Sequence, residues 1–275
     1  IVPALSWSST VFPLIQHGLI PVFVDQENNS FNIDPDQIQK CSEEIKGIKA
    51  IMLIHTYGVP ADMETIMNIA DENNWIIIED TCESMGATYD NKKVGSFGAV
   101  GTFSTYYSHH ICTLEGGLTV TDSHELSEVM QSIRSHGWIR HMDKKEEIAV
   151  KAGKEDPNFL FSYSGYNLRL SEPQAAMGIQ QFKKLDKFIA QRRKNAEHFR
   201  KLIDTGVNEE IGIPNVSDKK KSSWFGMPVV IKNCSRKRLR LIKQIFNRER
   251  IETRPFLAGN FASQPVMKNY EHIKF

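Results

Sequence analysis

The sequence has few cysteines, no long apolar run and almost no net charge. Its four cysteines are scattered, without a CxxC pair, which is typical of free thiols in a reducing, cytoplasmic compartment. A metal or iron–sulfur site would need all four to converge in space, so no metal site is predicted. The apolar runs are too short for a transmembrane helix, and a net charge of +1 favours neither nucleic acid nor an acidic membrane as a partner.

A further absence concerns one stretch in the middle of the chain. No lysine occurs between Val94 and Asp143, and this span contains two adjacent histidines, His109 and His110, followed by Glu115–Gly117. Histidine is a good general base near neutral pH, because its unperturbed pKa is about 6.5. A lone histidine is more often structural than catalytic, so the surrounding motifs decide between the two interpretations.

Short runs rich in Ile and Val alternate with segments of helical period in the first half of the chain. This alternation predicts an α/β fold, a mixed but mostly parallel sheet with helices on both faces. The predicted strands are Leu19–Asp25, Ile48–Ile54, Trp75–Glu79, Val100–Ser104 and Leu118–Thr121, and the predicted helices are Pro35–Ile45 after an Asp34 N-cap, Ala61–Asn73 and Ser123–Ser135.

The second half of the chain is less regular. Residues Arg140–Phe161 are charged and are predicted to form a long surface loop, and a helix is predicted from an N-cap at Ser171 to Leu202. The pattern beyond it predicts part of a small α+β domain, with segments Trp224–Ile231, Arg236–Arg248 and Ile251–Arg254. We expect a large domain over residues 1–185, lacking its N-terminal part, and a long linking helix with a partial small domain over residues 186–275. Both ends look truncated.

Asp80 directly follows the predicted strand Trp75–Glu79. In open α/β sheets, ligands bind at the carboxyl ends of the strands. A carboxylate there could hold the protonated ring nitrogen of a cofactor. It could instead cap a helix or a turn, and the spacing alone leaves both interpretations open.

Several sequence blocks around Asp80 and His109 occur in a specific order. They are Glu79–Ala87 (EDTCESMGA), Gly95–Gly98, Phe103-Ser104, His109 and Glu115–Gly117, together with Val2–Trp7, Pro21–Asp25, His55–Asp62 and Gly165–Arg169. Over nearly the whole chain this set resembles the DegT/DnrJ/EryC1/StrS family of nucleotide-sugar aminotransferases. The resemblance implies a fold type I, aminotransferase-like enzyme that binds pyridoxal 5′-phosphate (PLP) in its large domain.

The resemblance implies a role for each matching residue. Asp80 matches the aspartate that pairs with the pyridine nitrogen of PLP, and Ser104 matches the serine that binds its phosphate. Trp7 falls in a segment whose aromatic ring packs near the cofactor, with a core tryptophan as the alternative. Asn167 matches an asparagine that reaches the cofactor phosphate of the neighbouring subunit, which implies a homodimer.

His109 departs from the family pattern, because the usual residue there is the lysine that binds PLP covalently. An imidazole has no primary amine, so non-covalently held pyridoxamine 5′-phosphate (PMP) is expected, with glutamate as the amino donor that regenerates it. The exchange resembles the dehydratase branch of the family. One type in that branch needs an iron–sulfur cluster, but the corresponding stretch His136–Asp143 has no cysteine. The type that uses the organic cofactor alone is therefore favoured.

The activity implied by this resemblance is removal of the C3 hydroxyl from a nucleotide-linked 4-keto-6-deoxyhexose, with His109 as the base. The GDP-linked mannose derivative is the favoured substrate, in deoxysugar and lipopolysaccharide O-antigen biosynthesis. Two alternatives stay open. One is a PLP-dependent sugar aminotransferase with an unusual base. The other is a non-catalytic or truncated relative that binds only sugar or cofactor, since the family's other phosphate-binding turn lies upstream of Ile1.

Overall fold

The computed structural model describes residues 1–28, 30–206 and 210–275, without the side chains of residues 204–206. The helices in this part are α1 (Ser8–Gln16), α2 (Pro35–Glu44), α3 (Met63–Asn73), α4 (His124–Arg134), α5 (Lys145–Lys151), α6 (Glu172–Phe182), α7 (Leu185–Gly206) and α8 (Arg236–Arg248). The strands are β1 (Val2–Pro3), β2 (Val22–Val24), β3 (Ala50–Ile54), β4 (Ile76–Asp80), β5 (Thr88–Tyr89), β6 (Lys92–Lys93), β7 (Val100–Ser104), β8 (Gly117–Val120), β9 (Ile211–Gly212), β10 (Lys220–Lys221), β11 (Val230–Ile231) and β12 (Ile273–Lys274). Short 3-10 helices lie at Thr56–Gly58, Pro157–Phe159, Phe261–Ser263 and Pro265–Asn269.

A mostly parallel sheet has two parts, with the strand orders β12-β2-β1 and β3-β4-β7-β8. Two backbone hydrogen bonds join β1 to β3, from Ile1 N to Ala50 O at 2.8 Å and from Met52 N to Ile1 O at 2.9 Å. The β3–β4 and β4–β7 pairs are parallel, whereas β8 is antiparallel to β7. The predicted α/β fold is confirmed, and the carboxyl ends of β3, β4 and β7 share one edge of the sheet.

Buried aliphatic side chains hold the sheet against its helices. Ile51 and Leu53 of β3 and Ile77 of β4 lie in one cluster with Ile38 of α2 and Ile66 of α3. Fully burying one such side chain contributes about 1.5–3 kcal/mol. This packing fixes the strand ends that carry Asp80 and its neighbours.

The predicted helix starts are confirmed by their caps. The Asp34 side chain accepts a hydrogen bond from Asp36 N at 2.9 Å, and the Ser123 side chain accepts one from Leu126 N at 3.2 Å. Ser171 precedes α6, as predicted. These side chains satisfy backbone donors that the first turn of a helix leaves unpaired. The predicted strands are also present, although β2 is shorter than the predicted segment.

Two predictions for the middle of the chain are wrong in part. The predicted loop Arg140–Phe161 contains α5, whose first-turn acids and final Lys151 suit the helix dipole and whose Ala149 is buried. The predicted helix from Ser171 to Leu202 is two helices, because α6 ends at Phe182 and α7 begins at Leu185. The break lets Leu185 join a buried cluster that includes Ile111, in the loop between β7 and β8.

The small-domain pattern is confirmed only for α8. Of Trp224–Ile231, only β11 is a strand, paired with β9, and the described backbone of Ile251–Arg254 forms no strand. Trp224 has a φ of 50°, outside the extended region, because its segment turns to follow the chain at Gly58. The last residues return to the large sheet as β12. The domain boundary at residue 185 stays a prediction.

Within residues 1–28, 30–206 and 210–275, no helix combines the length and the apolar character that crossing a bilayer requires.

Candidate active site

Asp80 ends β4, and its carboxylate is held from two sides. Oδ2 accepts a hydrogen bond from Thr10 Oγ1 at 2.7 Å, and Oδ1 accepts one from Cys82 N at 3.1 Å. Thr10 lies in the first turns of α1, so the start of this helix lies at the same sheet edge. A carboxylate fixed at the carboxyl end of a parallel strand suits a ligand group that carries positive charge.

His109 lies in the loop that joins β7 to β8. Its backbone N donates to Tyr106 O at 2.9 Å, and its ring packs on the Phe225 ring with centroids 5.0 Å apart. Nδ1 is buried and has no hydrogen-bond partner among the described residues. Burial lowers the pKa of His109, and the Asp80 carboxylate counteracts part of this shift. A neutral imidazole with an unpaired nitrogen is able to accept a proton.

The adjacent His110 has a different environment. It is buried, and its Nε2 donates to Ser223 O at 3.2 Å. Burial lowers the pKa of His110 to about 4, against the opposing effect of the Ser223 hydrogen bond. His110 therefore stays neutral near pH 7 and ties the loop to the segment around Ser223.

The other predicted site residues, Ser104, Trp7 and Asn167, lie in three different segments of the fold. Ser104 ends β7, two residues beyond the partner of Asp80 in the strand register, and its Oγ accepts from Tyr106 N at 3.2 Å. Trp7 directly precedes α1 and is 54% exposed, so it is not a core residue. Asn167 is exposed in a separate segment, where it forms a β-bridge with Ser135 at the end of α4. Asp80, Ser104 and the His109 loop thus lie on neighbouring strand ends.

A buried hydrogen-bond network around His55 and Glu79 was not predicted from the sequence. His55 and Glu79 are fully buried, and His55 Nε2 donates to Glu79 Oε2 at 3.0 Å while His55 Nδ1 accepts from Ala61 N at 3.0 Å. Glu79 also accepts from three backbone donors, Gly95 N and Gly98 N among them. Burial alone would raise the pKa of Glu79, but these hydrogen bonds outweigh it and lower the pKa.

Glu83 is a second carboxyl that the sequence did not single out. It is buried beside Asp80 and accepts a hydrogen bond from Tyr57 N at 2.7 Å. Burial raises the pKa of Glu83 to about 7, and the charge of Asp80 adds to the rise. The spacing from Asp80 was the only available signal, because the burial depends on contacts with Tyr57 far away in the chain.

These side chains fit a pyridoxal-type cofactor. Such a cofactor has a cationic ring nitrogen that needs an anion and a phosphate that needs hydrogen-bond donors. Asp80 could supply the anion, and the Ser104 hydroxyl, which accepts from Tyr106 N, keeps its own proton and could donate it to a phosphate. The unpaired Nδ1 of His109 could accept a proton beside them.

The sheet and the groups at its edge define the class of protein, a PLP-dependent enzyme with an aminotransferase-like fold. The model of the DegT/DnrJ/EryC1/StrS aminotransferase family matches residues 1–274. The chain belongs to this family.

Relatives within the family carry a more specific name. GDP-4-keto-6-deoxy-D-mannose 3-dehydratase from Escherichia coli O55:H7 is 41% identical over 281 residues, which cover all of this chain and 69% of the relative. The enzyme of the same name from Yersinia pseudotuberculosis is 40% identical and is covered to 68%. The lipopolysaccharide biosynthesis protein RfbH of Salmonella typhimurium is 35% identical over 98% of this chain and 63% of its own length.

Solved structures of a similarly named dehydratase are also similar to this chain. A histidine-to-asparagine variant of GDP-4-keto-6-deoxymannose-3-dehydratase with bound GDP-perosamine superposes with a TM-score of 0.88 at 39% identity, covering 99% of this chain and 70% of that one. The same enzyme with a trapped PLP-glutamate geminal diamine has a TM-score of 0.88 at 38% identity, with the same coverage. The E. coli enzyme has also been solved with bound hydrated PLP, again with a TM-score of 0.88.

Proposed function

We propose that this chain is a PLP/PMP-dependent nucleotide-sugar 3-dehydratase that removes the C3 hydroxyl of GDP-4-keto-6-deoxy-D-mannose. One observation carries the proposal. The imidazole of His109 lies beside Asp80, and the loop that carries His109 contains no lysine. Two relatives at 40% and 41% identity are named as dehydratases of this sugar. The O-antigen setting is supported by the name of the Salmonella relative.

Each residue at the edge has a distinct task in this proposal. When bound, PMP supplies an amine that joins the C4 ketone of the sugar and a protonated ring that takes up electron density when a proton is removed. Asp80, fixed by Thr10 and Cys82, holds the proton on the ring nitrogen. Ser104 donates its hydroxyl proton to the phosphate. Trp7, exposed at the start of α1, packs beside the ring.

His109 moves the proton. Its imidazole, kept neutral by burial, accepts a proton from the C4′ carbon of the cofactor. The imidazolium that results is stabilised by the Asp80 carboxylate, and it returns the proton to the C3 hydroxyl as that group leaves. Glutamate serves as the amino donor that regenerates PMP.

Product analysis tests the reaction. The chain is incubated with PMP, glutamate and GDP-4-keto-6-deoxy-D-mannose, with the CDP-linked 4-keto-6-deoxy sugar in parallel. A dehydratase releases ammonia and yields a 3-deoxy sugar, whereas an aminotransferase yields an amino sugar with the C3 oxygen retained. An amino sugar as the main product would contradict the proposal, and turnover of the CDP sugar alone would contradict the substrate assignment.

The variant His109→Asn tests the base. Dehydration is expected to be lost, while PMP absorbance and the melting temperature persist, because Asn keeps a polar side chain but cannot accept the proton. The exposed His124→Asn is the matched control and is expected to keep full activity. Full turnover by His109→Asn would end the assignment of the base.

The proposal includes a homodimer in the cytoplasm. Asn167 is exposed on an extended segment and is proposed to reach the phosphate in a second subunit. The large apolar side chains next to it support burial against another chain, since Leu168 is 69% exposed. The unpaired cysteines support a reducing compartment. Sedimentation velocity tests the dimer, and a monomer at working concentration would refute it.

A further inference from the structure

The Phe225 ring lies against both histidines of the active-site loop. Its centroid is 5.0 Å from that of His109, with the ring planes tilted by 39°, and 6.1 Å from that of His110. Phe225 is half-buried, and it belongs to residues 222–226, here named the clamp segment. The clamp segment is more than a hundred residues from the loop in sequence, so the contact must be made by tertiary structure.

Backbone hydrogen bonds hold the clamp segment against the turn after β3. Ser223 N donates to Gly58 O at 3.0 Å, and Phe225 N donates to Tyr57 O at 2.9 Å. A Cβ on Gly58 would lie 2.6 Å from Trp224 N, and Gly58 has a φ of +85°. The close approach therefore requires glycine at this position.

The long helix α7 holds the clamp segment from the other side. Arg192 Nη1 donates to both Trp224 O and Phe225 O at 2.9 Å. Arg193 Nε donates to Ser222 O at 2.8 Å. Because the guanidinium bonds the Phe225 carbonyl itself, the backbone beneath the ring is fixed by a side chain from a different element.

We propose that Phe225 is a positioning residue for His109. The phenyl ring of Phe225 fixes the orientation of the His109 imidazole and excludes water from one face of that imidazole. Arg192 acts through Phe225 by holding its carbonyl. The inference rests on the proposed role of His109 as the base. A base that must stay neutral and correctly oriented benefits from an apolar neighbour more than from a polar one, because water and nearby anions favour the imidazolium.

The groups around His109 favour its charged form, so an apolar neighbour such as Phe225 is needed to keep the imidazole neutral. Asp80, on β4, favours the charged form of the imidazole, and so does the backbone contact with Tyr106. His110 lies next to it in the loop, and Arg192 acts on His110 from α7. Burial is the largest effect and lowers the pKa of His109. The Phe225 ring is the aromatic side chain with the shortest centroid distance to His109 among the described residues, so it contributes to that burial.

The test follows the titration of His109 by NMR in the 275-residue chain, with its ring signal assigned by its loss in His109→Asn. Phe225→Leu removes the ring but keeps an apolar side chain, and it is expected to raise the pKa of His109 by about one unit, a tenfold change in the protonation equilibrium. Arg192→Lys is expected to shift it in the same direction by less, because an ammonium cannot bond both carbonyls in the same way. Phe225→Tyr keeps an aromatic ring, and His109 in this variant is expected to titrate as it does in the wild type.

Arg200→Lys is the matched control, since Arg200 lies on the same helix and donates to Pro214 O at 3.1 Å, away from the clamp segment. It is expected to leave the titration unchanged. An unchanged His109 pKa in Phe225→Leu overturns the proposal. If Phe225→Leu does not fold, an unchanged His109 pKa in Arg192→Lys overturns the proposal instead. A shifted pKa in a chain whose wild type performs no dehydration would support the positioning role and refute the proposed function, so the two failures are distinguishable.

Discussion

Glu79 and Asp80 are consecutive residues of β4, and their side chains leave the strand on opposite faces into opposite surroundings. The Glu79 carboxylate is fully buried and accepts four hydrogen bonds, from His55 and from the backbone of Gly95, Phe97 and Gly98. Asp80 accepts two and faces the loop that carries His109. A carboxylate with every lone pair occupied holds the structure together, whereas one with spare capacity at a sheet edge is available to a ligand.

Asp80→Asn is expected to give the largest effect. The amide keeps the shape of the side chain and can still accept one hydrogen bond, but it removes the anion that holds the ring proton. Dehydration should fall on the order of 1000-fold, while the melting temperature stays close to that of the wild type. The measurement is steady-state ammonia release beside a thermal melt, and a variant that loses stability but keeps kcat would reverse the distinction between the two residues.

Glu79→Gln tests the other half of the comparison. Either orientation of the amide turns an NH2 group toward a donor, because Oε1 accepts from Phe97 N and Gly98 N while Oε2 accepts from Gly95 N and His55. The free energy of unfolding should fall by about 3 kcal/mol. Urea denaturation measures it, with Asp80→Asn as the neighbouring isosteric control. Equal stability of the two variants would show that burial and hydrogen bonding do not separate these carboxylates.

Glu83→Gln gives a smaller effect that depends on pH. Because the pKa of the folded-state carboxyl is raised from 4.5 to about 7, its contribution to stability is fully present below pH 4.5 and is lost as pH rises through about 7. The variant should therefore stay within about 1 kcal/mol of the wild type at pH 5 and exceed its free energy of unfolding by roughly 3 kcal/mol at pH 8. Urea titrations at the two pH values measure this.

The control for Glu83→Gln is the exposed Glu155→Gln, which should show no such pH dependence. A gain for Glu83→Gln that is equal at pH 5 and pH 8 would contradict the burial-raised pKa, because it would mean that the Glu83 carboxyl is ionised at both pH values.

Local patterns predicted the elements that form locally. The apolar runs of β3, β4 and β7 and the cap at Asp34 are confirmed, because burial on both faces and a capping oxygen leave direct signals in adjacent residues. Helix α1 was missed, since Pro13 lies inside it and no capping side chain precedes it. Strand β12 pairs with β2 across most of the chain, and no local pattern predicts such a partner.

The residues of the candidate site also differ in whether the sequence could reveal them. Asp80 was a candidate from its position at a strand end, and the family resemblance selected Asp80, Ser104 and His109 together. The structure has Asp80, Ser104 and the loop of His109 at neighbouring strand ends. His55, Glu83 and Phe225 could not be selected, because their environments come from residues distant in sequence. Desolvation and ring packing depend on tertiary contacts, and no spacing along the chain encodes them.

The smallest effect is expected at a second histidine–carboxylate pair. His124 Nε2 and Asp143 Oδ2 are 2.9 Å apart, close to the 3.0 Å of His55 and Glu79, but both side chains are 75% exposed. The hydrogen bond that His124 donates to the Asp143 carboxylate raises the pKa of His124, so any stabilisation is present below pH 6.5 and is lost as pH rises through the raised pKa. Asp143→Asn should change the melting temperature by only about 1 °C at pH 5.5 and not at all at pH 8.5. A loss as large as that of Glu79→Gln would mean that distance, and not burial, sets the strength of such a pair.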